Sequence, residues 1–159
     1  MSDLDFEPGT ADYIERVRQS FSQQAAMATL GAEILEIGPG RVRLGLQFAP
    51  ELTQQHGFLH AGVVTTVLDS ACGYAAFTLM PAEAEVLTVE FKSNFMAPAA
   101  GDRFVFEGRV IKPGRTLTVT EGFAFSDRDE GEPKLIAKMS ATMMAVAGRP
   151  DIGGRVGTE

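Results

Sequence analysis

Asp69 is a carboxylate whose sequence neighbours Val67, Leu68, Ala71 and Cys72 offer it no charged partner. Ionised carboxylates are rarely buried unpaired, so an aspartate here is either held by a nearby hydroxyl or kept ready to take a proton or attack a carbonyl. At helical spacing its face carries Gly62, Thr65, Thr66, Cys72, Gly73 and Ala76, all small. Such a stripe leaves room for a substrate beside the carboxylate, or lets the helix pack tightly against another backbone. Thr65 or Thr66 can also hydrogen-bond Asp69 and make it structural.

A second set of groups precedes it, in Gln54-Gln55-His56-Gly57-Phe58-Leu59-His60-Ala61-Gly62. The first turn of a helix has amides without intrahelical acceptors, so the Ala61 and Gly62 N–H groups can donate to an oxyanion or polarise a carbonyl. Gly62 also lets a ligand approach the backbone closely. A helix start satisfied by water or by a loop is the plainer alternative, and His60 serves equally as a helix-start hydrogen-bonding group. His60 and Asp69 are nine positions apart, which at about 3.6 residues per turn puts them on opposite sides of one helix. If both serve one site, that site lies between two subunits, and a twofold dimer builds two of them.

Other chemistries find little support. Two histidines, at 56 and 60, with no HExxH-type pattern make no metal site, so no metal is expected. Ser70 stands outside any GxSxG elbow, and Cys72, the single cysteine, sits in an apolar run. Neither GxxxxGK[ST] nor GxGxxG occurs. Lys112-Pro113-Gly114-Arg115, with Arg109 just before it, places cations around a tight turn that can hold phosphates or simply be a solvated hairpin.

The elements that must position these groups follow from periodicity. Asp12 to Leu30 spaces Ile14, Val17, Phe21, Ala25 and Ala28 as one amphipathic helix packed across a sheet. Ala32 to Ile37 and Arg41 to Phe48 flank a Gly38-Pro39-Gly40 turn and read as a strand pair; Glu51 to Leu59 reads as loop. Ala61 to Met80, closed by Pro81, starts with β-branched residues, but about 20 residues is too long for a strand and fits a buried helix. Four strand-like segments follow: Val86 to Met96, Asp102 to Lys112, Arg115 to Phe125 and Lys134 to Val146. Pro98 to Gly101, Pro113-Gly114 and Asp127 to Pro133 supply turns, and the mostly short connections favour antiparallel pairing. The order fits an α+β domain, an antiparallel sheet wrapped around the long helix.

The 159 residues, 45% hydrophobic, suffice for one domain over 1–146, with a glycine-rich tail over 147–159 expected to be disordered. A net charge of −7 argues against nucleic acid as a partner. The acidic start, Asp3, Asp5 and Glu7, is unlike a secretory or transit leader, and Asp69 with three threonines argues against a membrane span over Gly62 to Met80. A reducing cytoplasm is the expected compartment.

Three stretches carry a family resemblance: Gly57-Phe58-Leu59-His60-Ala61-Gly62, Asp69, and Leu87-Thr88-Val89-Glu90-Phe91 to Phe95-Met96-Ala97-Pro98. Together they resemble the PaaI-type branch of the hotdog-fold thioesterases over Gln23 to Val146, and the order of elements matches that fold independently. The family pattern is similar to N-x-x-G-x-x-H-G-G, an acidic residue deeper in the helix and a hydroxyl on the next strand. The resemblance implies that Asp69 activates water or attacks the thioester, that the Ala61 amide polarises its carbonyl, that His60 organises the helix start, and that Thr88 orients water or the carboxylate. Gln54 stands where the family often has Asn, keeping an amide with a longer reach. Ala61 replaces a Gly, keeping the donor but adding a methyl. The resemblance further implies a CoA thioester as substrate with no separate cofactor, Lys112 and Arg115 near its phosphates, and a homodimer or a dimer of dimers.

Three functions follow from these readings. Acyl-CoA hydrolysis leads, with Gly62, Thr65 and Gly73 beside the substrate. Hydration or dehydration of an acyl thioester needs a locally paired acid and histidine. A non-catalytic acyl-CoA-binding module would keep the fold without turnover. Phe58, Tyr74 and Phe77 either line an acyl pocket or fill the core.

Overall fold

The computed structural model describes residues 5–127 and 132–147. Helices α1 (Tyr13–Ser22) and α2 (Ala25–Leu30) lead into β1 (Glu33–Gly38) and β2 (Arg41–Gln47). A short 3-10 turn (Pro50–Leu52) precedes the long helix α3 (Ala61–Phe77), and β3 (Ala84–Phe95), β4 (Arg103–Lys112), β5 (Leu117–Asp127) and β6 (Lys134–Ala147) follow. The six strands form one antiparallel sheet in the order β1-β2-β4-β5-β6-β3, curled around α3. This is the sheet around a long helix that the order of elements fits, and the hotdog arrangement that the family resemblance implied. Strand β6 runs one residue past the expected domain end; the expected disordered tail from 148 and the turn residues 128–131 lie outside the described residues.

Alternation sets the two faces of the sheet. In β4, Phe104, Phe106 and Val110 are buried against α3, while Arg103 and Arg109 point outward. Helix α3 is buried on nearly all sides from Val67 to Phe77, which requires the sheet to approach its backbone closely. Two sheet glycines permit this. A Cβ on Gly108 would lie 2.2 Å from the Ala71 carbonyl oxygen, and one on Gly122 would lie 2.8 Å from Cys72 Sγ. Tight backbone packing therefore occurs on the Leu68, Ala71 and Cys72 side of the helix. Gly108→Ala is expected to cost about 3 kcal/mol, because a rigid carbonyl must move rather than a flexible side chain; urea unfolding measures it.

One expectation about helix continuity is corrected, and one connection joins strands that do not pair with each other. The single helix over Asp12 to Leu30 is broken at Gln23 and Gln24, where Gln24 is extended (φ −81°, ψ 93°). The break rotates the second segment so that Met27, not Ala25 or Ala28, is buried. Ile14, assigned to the buried face, is 41% exposed. The Gln24 side chain accepts a hydrogen bond from Ser70 Oγ at 3.2 Å, an interaction with α3 that local periodicity does not report. Also, β3 does not form a hairpin with β4. It crosses to the far edge and pairs with β6, while β4 sits between β2 and β5. The connection is longer than the two to five residues of a hairpin loop, and it is tied to the loop before α3 by Leu59 N–H donating to Ala99 O at 3.1 Å.

Arg16 clamps the start of β3 to the end of α3. Its guanidinium donates to the carbonyls of Met80, Pro81 and Ala84 at 3.2, 3.1 and 3.3 Å and lies 4.6 Å over the Phe77 ring. Outward on the sheet, Glu107 is buried beneath Arg41 and Arg109. Burial pushes its carboxyl up, but the hydrogen bonds from Arg41 (2.8 Å) and Arg109 outweigh this and hold it below its ordinary value.

Candidate active site

Helix α3 and edge strand β3 meet at Asp69 and Thr88. Thr88 Oγ1 donates to Asp69 Oδ1 at 2.9 Å. The ladder between β3 and β6 slips between Thr88 and Glu90, a bulge that changes which face of β3 turns inward at this point. Burial pushes the Asp69 carboxyl above its usual range, and the Thr88 hydrogen bond opposes this in part. A carboxylate so placed is a stronger base than an exposed one. Thr65 and Thr66 do not hold Asp69, contrary to one reading of the small-residue face. Thr66 Oγ1 donates instead to Gly62 O at 2.7 Å.

Asp69 opens onto a cavity of about 310 Å³ whose lining includes Ser20, Gln24, Gly73, Tyr74, Glu85 and Thr88. Sequence reading included Gly73 and Thr88 and weighed Tyr74. It missed Ser20, Gln24 and Glu85, which are ordinary polar residues until the α1–α2 break and the edge position of β3 bring them to Asp69.

The helix start is capped from within. His60 is the N-cap residue, and its Nδ1 accepts from Gly62 N–H at 2.8 Å. Accepting at Nδ1 leaves the ring proton at Nε2. The expectation that Gly62 donates to a ligand is thereby corrected: its amide is committed to His60, and a Cβ there would stand 3.0 Å from Nδ1. Val63 and Val64 donate to His60 O at 3.0 and 3.2 Å. Ala61 is exposed, and its amide has no acceptor among the described residues.

The preceding loop folds on itself, with Gln54 N–H donating to Phe58 O and Gly57 N–H to Gln54 O at 2.9 and 3.0 Å. Gly57 has φ 82°, a left-handed conformation suited to glycine. Gln54 Oε1 accepts from the His56 amide, which leaves the side-chain NH2 as donor. Gln54 and Ala61 share a mostly apolar cavity of about 450 Å³ with Phe58, Val64, Phe95 and Ile136. This space is distinct from the one at Asp69. Eight residues of unbroken helix place Ala61 about 12 Å from Asp69 along the axis, so the chain does not bring them together.

Lys112 and Arg115 flank the β4–β5 turn, both exposed and without a salt bridge among the described residues. Thr88, Met143 and Thr118 pair in one row across β3, β6 and β5, which puts that turn at the Thr88 end of the sheet. Arg109 does not join them, being held on the outer face by Glu107 and lying 5.7 Å from the Phe123 ring centroid. Phe77 is core, 4% exposed under Arg16. Cys72 is fully buried, and burial pushes its thiol up to about 12, which removes it as a nucleophile. Among the described residues no three His, Cys, Asp or Glu side chains group as metal ligands, and no helix is long and apolar enough to cross a membrane.

Residues 56–132 match the family model of the thioesterase superfamily. A Saccharolobus solfataricus protein provisionally named an esterase is 33% identical over 129 residues, covering 81% of this chain and 83% of its own. The chain belongs to the thioesterase superfamily. A thioesterase family protein of Silicibacter pomeroyi has a solved structure 61% identical to this superfamily member, covering 86% of this chain and 99% of its own, with a TM-score of 0.83. The PaaI protein of the E. coli phenylacetic acid degradation operon aligns with a TM-score of 0.78 over 88% of this chain and 97% of its own, and at 16% identity it shares the fold. Hydrolysis of a thioester is the general chemistry these comparisons support for this thioesterase-superfamily chain.

Proposed function

We propose that this protein hydrolyses an acyl-CoA thioester to the free acid and CoA, at sites shared between two copies of the chain. The observation that carries the reading is Asp69, held by Thr88 at the edge of a cavity in a thioesterase-superfamily fold. Asp69 takes a proton from water, the hydroxide adds to the thioester carbonyl, and the thiolate leaves with a proton. In the nucleophilic variant Asp69 itself adds, and water then cleaves the resulting anhydride. Ala61 of the second copy donates its free amide to the carbonyl oxygen, with His60 and Gln54 shaping that helix start and Thr65 and Gly73 lying on the Asp69 helix. Lys112 and Arg115 meet the CoA phosphates.

The shared site rests on geometry. Asp69 and the helix start face apart in one chain, and β3 is a long open edge with Leu87, Val89, Phe91 and Phe95 exposed at 42, 51, 45 and 51%. A long apolar edge strand is normally covered, and a second copy pairing along it brings one chain's Asp69 toward the other's Ala61. Leu117 and Val119 on the outer face offer a second contact for a dimer of dimers. A cytoplasmic setting belongs to the same reading.

A panel of aliphatic and aryl acyl-CoAs, followed by thiol release, tests the function. Turnover of at least one member is expected. Binding across the panel without thiol release would make the protein an acyl-CoA-binding module, and a hydroxyacyl product with its thioester intact would make it a hydratase.

A further inference from the structure

We propose that the cavity beside Asp69 is the acyl site and that Tyr74, Ser20 and Gln24 make it select small, uncharged acyl groups bearing a hydroxyl or ketone oxygen. The assignment rests on the hydrolase reading above and specifies its substrate.

Space is the first argument. The cavity of about 310 Å³ has room for roughly ten water molecules, enough for a short acyl chain. Gly73 stands in the middle of α3, where glycine weakens a helix relative to alanine. A Cβ there would meet nothing within 4 Å. Close packing therefore does not explain this glycine as it explains Gly108 and Gly122, whereas an open volume that must accept a ligand does.

The wall supplies the selectivity. The Tyr74 hydroxyl and Ser20 Oγ are 3.3 Å apart, so one proton lies between them and the other hydroxyl proton has no acceptor among the described residues. Tyr74 is 6% exposed, its ring set against Phe21 and Phe77, which fixes the hydroxyl in place. Gln24 Oε1 accepts from Ser70, leaving the Gln24 NH2 as a donor. A hydrocarbon acyl group entering here would displace water from these donors and return nothing; an acyl oxygen replaces that water. Glu85 and Asp69 are the ionisable acids of the lining, which contains no cation. A terminal carboxylate is repelled, and so are the nucleotide phosphates of the carrier, which leaves the acyl half to enter this side.

Thiol release from hexanoyl-CoA, its 5-hydroxy and 5-oxo analogues and adipoyl-CoA tests the assignment. Wild type is expected to show kcat/KM about 10- to 100-fold higher for the oxygenated analogues than for hexanoyl-CoA, with adipoyl-CoA lowest. Tyr74→Phe keeps the ring and removes one of the donors, so that ratio falls severalfold. Gly73→Val, checked for folding by circular dichroism, raises KM more for the six-carbon substrates than for acetyl-CoA. Equal or better use of hexanoyl-CoA by wild type, or a ratio unchanged in Tyr74→Phe, overturns the assignment while leaving the hydrolase intact. Release of thiol from no substrate sinks the hydrolase reading and this assignment with it.

Discussion

Asp69→Asn is expected to lower kcat by about a thousandfold or more while raising thermal stability. Asparagine keeps the oxygen that accepts from Thr88 and nearly the same shape, so the cavity and the fold survive. What disappears is a group able to take a proton from water or to add to a carbonyl. The stability gain follows from linkage. Burial raises the folded-state pKa of Asp69 above its ordinary 3.8, so the folded chain binds that proton more tightly than the unfolded chain does. Below both values the aspartate is neutral in both states and costs nothing. As pH rises through the window between them stability is lost, and at neutral pH the whole cost is present. Water reaching the open side of the cavity screens the charge and keeps that cost small. The substituted amide avoids it altogether, so the melting temperature should rise at neutral pH, and the gap should close on acidification. Activity follows the opposite sign: the acid limb of kcat/KM falls as pH drops through the raised pKa. Thr88→Val removes the opposing hydrogen bond and should move that limb to higher pH. Unchanged turnover in Asp69→Asn would remove Asp69 from the chemistry.

Ala61→Pro should lower kcat by about 100- to 1000-fold with the helix intact, the loss typical of one oxyanion donor. Ala61 is the first residue after the His60 cap, where proline's fixed φ suits a helix and the missing N–H removes no intrahelical bond. His60, at φ −63° and ψ 138°, already has the extended conformation required before proline. The substitution thus deletes one donor from an otherwise preserved helix start. If sites are shared, refolding equal amounts of Ala61→Pro and Asp69→Asn together rebuilds one complete site in each mixed dimer. Random pairing then restores about a quarter of wild-type activity. A mixture no more active than its parents, in samples shown to exchange subunits, would put Asp69 and Ala61 in separate roles.

Much of this was legible along the chain because it depends on local periodicity. The boundaries of α3 and of the six strands fell within a few residues of their structural limits, since a strand's two-residue alternation and a helix's length and apolar density are properties of consecutive residues. The distance of His60 from Asp69 was equally readable, because helical phase is set by counting. The break at Gln24 was not, since nothing nearby distinguishes it from a helical glutamine. It is Ser70, 46 residues away, that holds its side chain. The expectation for the Gly62 amide failed for a related reason: whether a first-turn N–H is free depends on the rotamer of His60, which composition does not specify.

By itself, the sequence determined that one carboxylate would lie in a buried, small-residue helix and that His60 at the helix start would project from the opposite side; the hydroxyl on the next strand came from the family resemblance. Only the tertiary structure decided that Thr88 and not Thr65 or Thr66 holds Asp69, that β3 runs at an open edge, and that Ser20, Gln24, Tyr74 and Glu85 surround the carboxylate. The physical reason is range. Periodicity and capping act over a few residues, whereas the order of strands and the partners of a buried side chain are settled by which distant surfaces can be buried together.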